Sequence, residues 1–221
     1  IGFLGIQELK SSGEAAAPRI KSSLHAAEAA LKNLETGRAT YEFGNAQQEI
    51  ARIEAQANRY GLRAIAAVFE GVAPALDRIT RLFREAGTLT GTLITVTGHL
   101  ERVYENAFAW LMNHEGRELA STLGAIQSEL AQIAASNTEI KKYAATFGYA
   151  QGGSLLDTNV NLYRAERFLG RLLAWFTHPG LKRIAILFQN PSELRPAGGF
   201  LGSYGELTLT PEGIQGITVW D

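Results

Sequence analysis

From residue 20 to residue 176, apolar side chains recur at alternating steps of three and four, a spacing that lines one stripe of successive helices and defeats any regular strand pairing. The first stripe is Ile20, Leu24, Ala27, Leu31 and Leu34, with Gly37 placed to end the helix in a left-handed conformation. The second is Phe43, Ala46, Ile50, Ile53, Ala57 and Tyr60, closed by Gly61. A short turn near the sequence ETGRA therefore predicts an antiparallel helical hairpin. The third and longest stripe is Ile65, Val68, Val72, Ala75, Ile79, Leu82, Ala86, Leu89, Leu93, Val96, Leu100 and Val103. Pro74 lies inside it, where a missing N–H and a ring clash predict a kink or a break followed by a restarted helix.

Residues 88–99, TLTGTLITVTGH, test the helical reading. Threonine and glycine are poor helix formers and the alternation would also suit a strand, but the seam continues through the segment, so helix is expected. The fourth stripe, Leu119, Leu123, Ile126, Leu130, Ile133, Asn137, Ile140, Ala144 and Phe147, ends at Gly148. Asn137 on that seam is either a buried polar residue that fixes register or a position on a solvated edge. After the glycine-rich YAQGGS, a fifth stripe of Leu162, Ala165, Leu169, Leu172 and Phe176 stops at THPG. Trp110, Trp175 and Phe176 are read as filling the bundle rather than stacking on a sugar or base. No 33- to 47-residue motif repeats, which disfavours a standard solenoid. An elongated antiparallel bundle is expected, since an unbroken 40-residue helix would reach about 60 Å.

Four of the six prolines follow residue 178, and there the pattern changes to short apolar runs. Ile184 to Phe188 is a continuous apolar run, expected to be a strand buried on both faces. Leu207 to Thr210 alternates, Pro211-Glu212-Gly213 turns, and residues 214–220 supply another strand, so the last two strands are expected to form a hairpin. The fold class is thus mainly α with a small β-containing C-terminal part, α+β. It is organised as residues 1–12, residues 13–178 as the helical bundle, and residues 181–221 as the start of a β-containing domain. The opening Ile1-Gly2-Phe3-Leu4-Gly5-Ile6 is too short to span a bilayer, which needs roughly 20 residues. It reads either as an apolar tail or as the outer end of a membrane anchor.

Composition removes several classes of function. With 21 Lys plus Arg against 22 Asp plus Glu, the net field attracts neither nucleic acid nor a membrane surface. The absence of cysteine excludes disulfides, thiolate zinc sites and a cysteine nucleophile. His25, His99, His114 and His178 are scattered without ligand spacing, which argues against a metal and leaves most of them as surface or helix-end residues. No cofactor is indicated. Glu206 and Asp221 would make a carboxylate pair only if their strands adjoined; otherwise they are solvated charges on a strand face. GFLGSYG lacks the Gly-x-Ser-x-Gly order of a nucleophile elbow.

One stretch concentrates polar groups and glycines between two strands: residues 189–200, with Gln189, Asn190, Glu193, Arg195, Gly198, Gly199 and Phe200. Arg195 offers a fork of donors, and consecutive glycine amides can form a concave nest, so Arg195, Gly198, Gly199 and Asn190 are a candidate anion site. The structural alternative pairs Glu193 with Arg195, uses Asn190 and Gln189 to cap free backbone ends, and reserves the glycines for a tight connection. It is not a Walker loop, since no Gly-Lys-Ser/Thr follows and a strand comes next.

The phrase from Ile186 through Leu209 resembles the signature of the bacterial domain-of-unknown-function family 4012. There a strand is followed by QN-x-x-E-L-R-x-x-G-G-F and a second strand. Gln189, Asn190, Glu193, Leu194, Arg195, Gly198, Gly199, Phe200, Gly202 and Tyr204 carry the likeness, while Ala197 stands where the family commonly has threonine. The resemblance implies a membrane-anchored envelope protein on the extracytoplasmic face, with an α-helical stalk. It also implies a C-terminal mixed domain longer than the residues after Gly180. No activity follows from it. Three functions are then expected to compete. The first is a non-enzymatic structural or assembly module that meets a protein partner or a copy of itself, anchored by a segment upstream of Ile1. The second is an envelope enzyme or binding protein for a phosphate-linked or glycan polymer that uses the 189–200 phrase. The third is a cytoplasmic helical adaptor.

Overall fold

The computed structural model describes residues 2–59, 73–145, 158–190 and 200–220. Among the described residues five helices, α1 (Gly2–Lys32), α2 (Thr36–Arg59), α3 (Ala73–Met112), α4 (Gly116–Ala145) and α5 (Thr158–Thr177), precede three strands, β1 (Lys182–Asn190), β2 (Phe200–Thr210) and β3 (Gly213–Trp220). The chain is mainly helical with a small C-terminal antiparallel sheet, an α+β arrangement. It forms two compact units: Ile1–Glu101 with Ile126–Arg167, and Arg102–Ala125 with Phe168–Asp221.

In the first unit, α1 and α2 pack as the expected hairpin. The buried positions of α2 are Ala39, Phe43, Ala46, Ile50, Ile53 and Ala57, the stripe that its three-and-four spacing dictates. Ile53 and Ala57 meet Ala16 of α1 in one cluster, Ala39 and Phe43 meet Ala27 and Ala30 in another, and α3 covers these with Ile79 and Phe83 and with Leu93 and Ile94. Alanine at so many seam positions lets helix axes approach the short end of the usual range of about 8–10 Å. Against α3, α4 runs antiparallel: His99 Nδ1 lies 3.0 Å from Glu129 Oε2, and Ser136 Oγ lies 3.4 Å from Glu85 Oε2.

The threonine-rich segment is helical, as the seam requires. Its cost is reduced locally. Thr90, Thr92, Thr95 and Thr97 each donate the hydroxyl hydrogen to the carbonyl four residues earlier, at 3.0, 2.9, 3.1 and 2.8 Å. A helix carbonyl has a second lone pair, so Thr90 and Thr97 can be fully buried without an unpaired hydroxyl. Asn137 is 5% exposed, so its seam position is an interior one and not a solvated edge.

Several boundaries differ from the sequence expectation. α1 begins at Gly2, so residues 2–12 are its first turns, and Pro18 sits on its exposed face within the helix. Gly37 is not the cap of α1 but lies in the first turn of α2. The left-handed position is Leu34, at φ 60°. There Glu35 N–H donates to the Ala30 carbonyl at 2.9 Å and Leu34 N–H to the Leu31 carbonyl at 3.0 Å, the paired bonds of a Schellman ending. Pro74 stands in the first turn of α3, where the missing N–H would have no intrahelical partner anyway. The expected kink, with Tyr60, Gly61, Ile65, Val68 and Val72, lies outside the described residues, as do Phe147 and Gly148.

The second unit holds the sheet, in the order β1-β2-β3 with both pairings antiparallel. β2 and β3 form the expected hairpin around Pro211 and Glu212. Its turn end is buried through Leu209 and Ile214, and the helical part contributes Leu119, Leu123 and Phe176 to the same unit's interior. β1 corrects the reading of a strand buried on both faces. Ile186, Leu187 and Phe188 are all exposed, because among the described residues no layer covers either face of that strand's far half.

Candidate functional site

The ends of the 189–200 phrase are partners across the β1–β2 ladder: Asn190 pairs with Phe200 and Gln189 with Leu201, after a bulge between Phe188 and Gln189. The phrase therefore closes the end of the sheet away from the β2–β3 turn. Glu193, Arg195, Gly198 and Gly199 lie outside the described residues, so the anion nest and the Glu193–Arg195 pair are not placed. Tyr204, also of the motif, pairs with Leu187 on one side and with Trp220 on the other. Its ring stacks on Trp220 with centroids 4.9 Å apart and planes 19° from parallel, a geometry that favours aromatic contact.

The pleat sorts the sheet into two faces. Ile184, Leu207 and Ile217 form one cross-strand row, and Ile186, Gly205 and Val219 form the next on the same face. Phe188 leans over Gly205, with Cε2 3.5 Å from where a β-carbon would stand. On the opposite face Arg183 Nε lies 3.7 Å from Glu206 Oε1, beside Tyr204 and Trp220. Glu206 is thus engaged by a cation on the neighbouring strand, and Asp221 lies outside the described residues. Leu187 is 62% exposed and Val219 54%, so the end of the sheet that carries the phrase is an open, apolar and aromatic surface.

A second exposed apolar surface in this unit was not expected. Tyr104, Phe108 and Met112 recur every four residues along α3, and Phe108 is 69% exposed. Trp175 is also exposed, with Lys182 Nζ 5.8 Å from its ring centroid, so only Phe176 among the expected bundle-filling aromatics is buried. Trp110 is half-buried beneath Arg102, at 5.9 Å.

Sequence reasoning also missed how the hairpin is held. Gly116 N–H, the first amide of α4, donates to the Glu212 carbonyl at 2.7 Å, so a helix-end donor with no intrahelical acceptor is satisfied by the β2–β3 turn. A β-carbon on Gly116 would overlap the Pro211 carbonyl oxygen, and one on Gly213, at φ 151°, would overlap the Leu111 carbonyl oxygen. Two glycines thus permit backbone to approach backbone. Gln215 Nε2 lies 3.4 Å from His114 Nδ1 and 3.0 Å from Thr210 Oγ1 across the same junction. The Glu212 carboxyl is held below the ordinary carboxylate range, first by the Thr210 hydroxyl, then by its own backbone amide and the charges of Arg117 and Lys182. Beside it opens a depression of about 520 Å³, lined by Arg117, Thr177, Leu181, Thr210, Pro211 and Glu212. One cation and one anion face it, so its charge selects neither sign of ligand.

Of the histidines, His114 occupies the α3–α4 turn at φ 61° and His178 follows α5, whereas His99 is largely buried against Glu129. Among the described residues no three His, Asp or Glu side chains cluster to hold a metal ion. No helix among them is long and apolar enough to cross a membrane. No protein-family model, curated protein or solved structure matches the chain.

Proposed function

We propose that this chain is the interaction module of a bacterial envelope protein, displayed on the extracytoplasmic face of the cell membrane by an anchor upstream of Ile1. The exposed apolar surface of the second unit carries the reading. Ile186, Phe188, Ile217 and Val219 on the sheet and Tyr104, Phe108 and Met112 on α3 are large hydrophobic side chains left in water. Contiguous patches of this kind are characteristic of surfaces that receive a partner. The envelope setting is supported by the likeness of the 189–200 phrase to the bacterial family of unknown function 4012. The buried, alanine-rich helical seams support a holding role for the first unit.

Photo-crosslinking residues placed at Phe108 and at Val219 in living bacteria test the module, and protease added to spheroplasts tests its location. The reading expects protein adducts from at least one position and digestion of the chain from outside. No adduct at either position would sink the interaction role, and full protection from protease would sink the location.

A further inference from the structure

Among the described residues β3 is an edge strand. It pairs with β2 alone among the described residues, so its other side presents backbone N–H and C=O groups in a row. Edges in isolated proteins are usually guarded by lysine, proline or a bulge. β3 reads GIQGITVW and carries no charge and no proline. Its irregularity lies opposite Thr208 and Leu209, near the turn, and from Gly216 to Trp220 the pairing is regular. The other edge, β1, begins with Lys182 and Arg183.

The outer half of β3 is self-complementary. Ile217 and Val219 are exposed on the apolar face, continuing the rows from Ile184 and Ile186. Gly216 and Trp220 share the other face, with Thr218 midway between them. A β-carbon on Gly216 would meet nothing within 4 Å, so an open site stands over it. In this same sheet Phe188 covers Gly205 in the manner of an aromatic filling a glycine gap.

We propose that β3 pairs antiparallel with β3 of a second copy of this chain, about a two-fold axis through Thr218, to give a continuous six-stranded sheet. This register sets Ile217 against the partner's Val219 and Val219 against the partner's Ile217. Thr218 faces the partner's Thr218, and Gly216 receives the partner's Trp220. Because the shift keeps the pleat in phase, the apolar faces of the two sheets join on one side. Because the strand is uncharged, identical strands meet without opposed like charges, and a two-fold makes every favourable pair twice. The proposal rests on the interaction reading and names its partner.

Sedimentation velocity of the chain at rising concentration tests it. A reversible monomer–dimer equilibrium is expected, in which Ile217→Lys and Gly216→Val each raise the dimer Kd by more than tenfold. Both positions lie in the open half of the edge strand, so the thermal melt of the Ile217→Lys monomer should match that of the parent. A chain that stays monomeric at every concentration overturns the pairing, as does a dimer whose Kd neither substitution moves. Failure here is separable from failure of the interaction role. A monomer that still gives adducts at Val219 in cells removes only the second copy as partner, whereas loss of all adducts removes the module itself.

Discussion

Among the described residues the chain reverses twice between antiparallel helices with the same turn chemistry, Asn33-Leu34-Glu35 after α1 and Asn113-His114-Glu115 after α3. In both, the middle residue takes a left-handed backbone, at φ 60° and 61°. In both, the glutamate amide reaches back five residues, Glu35 to the Ala30 carbonyl at 2.9 Å and Glu115 to the Trp110 carbonyl at 2.7 Å. The next residue separates them. Thr36 opens α2 with no backbone carbonyl from elsewhere in the described chain over its amide, whereas Gly116 opens α4 with the Glu212 carbonyl bonded to it. One turn ends a hairpin and the other is a platform for the sheet. The difference lies in two glycines, Gly116 and Gly213, and not in the turns themselves.

The largest effects should come from filling the contact. Gly213→Ala or Gly116→Ala forces a β-carbon into backbone, and each should destabilise the chain by about 2–4 kcal/mol in denaturant unfolding. Gly37→Ala is the control at the free turn. Nothing lies within 4 Å of its β-carbon position, so a helix-favouring alanine should stabilise by up to about 1 kcal/mol. A loss there equal to that at Gly116 would erase the distinction between the two turns.

Relieving the left-handed residues gives a smaller effect. Leu34→Gly should stabilise by about 1 kcal/mol, because Leu34 is 67% exposed and has little packing to lose. His114→Gly should gain less, since it also gives up the contact with Gln215 at 3.4 Å. Equal gains in thermal melts would show that the histidine adds nothing at the junction.

The smallest effect is that of acid. The folded-state pKa of Glu212 is lowered, so its contribution is fully present above the ordinary carboxylate range and is lost as pH falls through its folded value. Glu212→Gln should therefore reduce stability slightly at neutral pH, and the difference from the parent should vanish in acid. A difference that persists in acid would remove the carboxylate from the account of the junction.

The helical seams were legible because burial repeats with the helical period: five of the six buried positions of α2 are on the stripe named from its spacing, and the sixth, Ala39, extends it by one step of four. Asn137 was harder, since a polar residue on a seam is compatible with either an interior or an edge. Gly37 misled because a glycine three residues beyond the true left-handed position looks like the better cap, while Leu34 adopts that backbone through its two turn bonds. β1 misled for a different reason. A continuous apolar run expresses affinity for cover, and here Leu187 and Phe188 have none among the described residues. The ridge of Tyr104, Phe108 and Met112 hides in a spacing that also serves a buried stripe. Gly116 and Gly213 carry no local signal, because their need for hydrogen at the α-carbon arises from chain far away in sequence. The candidate anion residues were legible as a phrase, but their chemistry depends on where Arg195, Gly198 and Gly199 stand.

Native-state hydrogen exchange at two equivalent amides, Gly116 and Thr36, tests the difference between the turns most directly. The Gly116 amide should be protected together with the β2–β3 ladder, and Gly213→Ala should remove that protection. The Thr36 amide should exchange as a free helix end does. A Gly116 amide exchanging as fast as Thr36 in the parent chain would contradict the platform and leave the sheet without its described attachment.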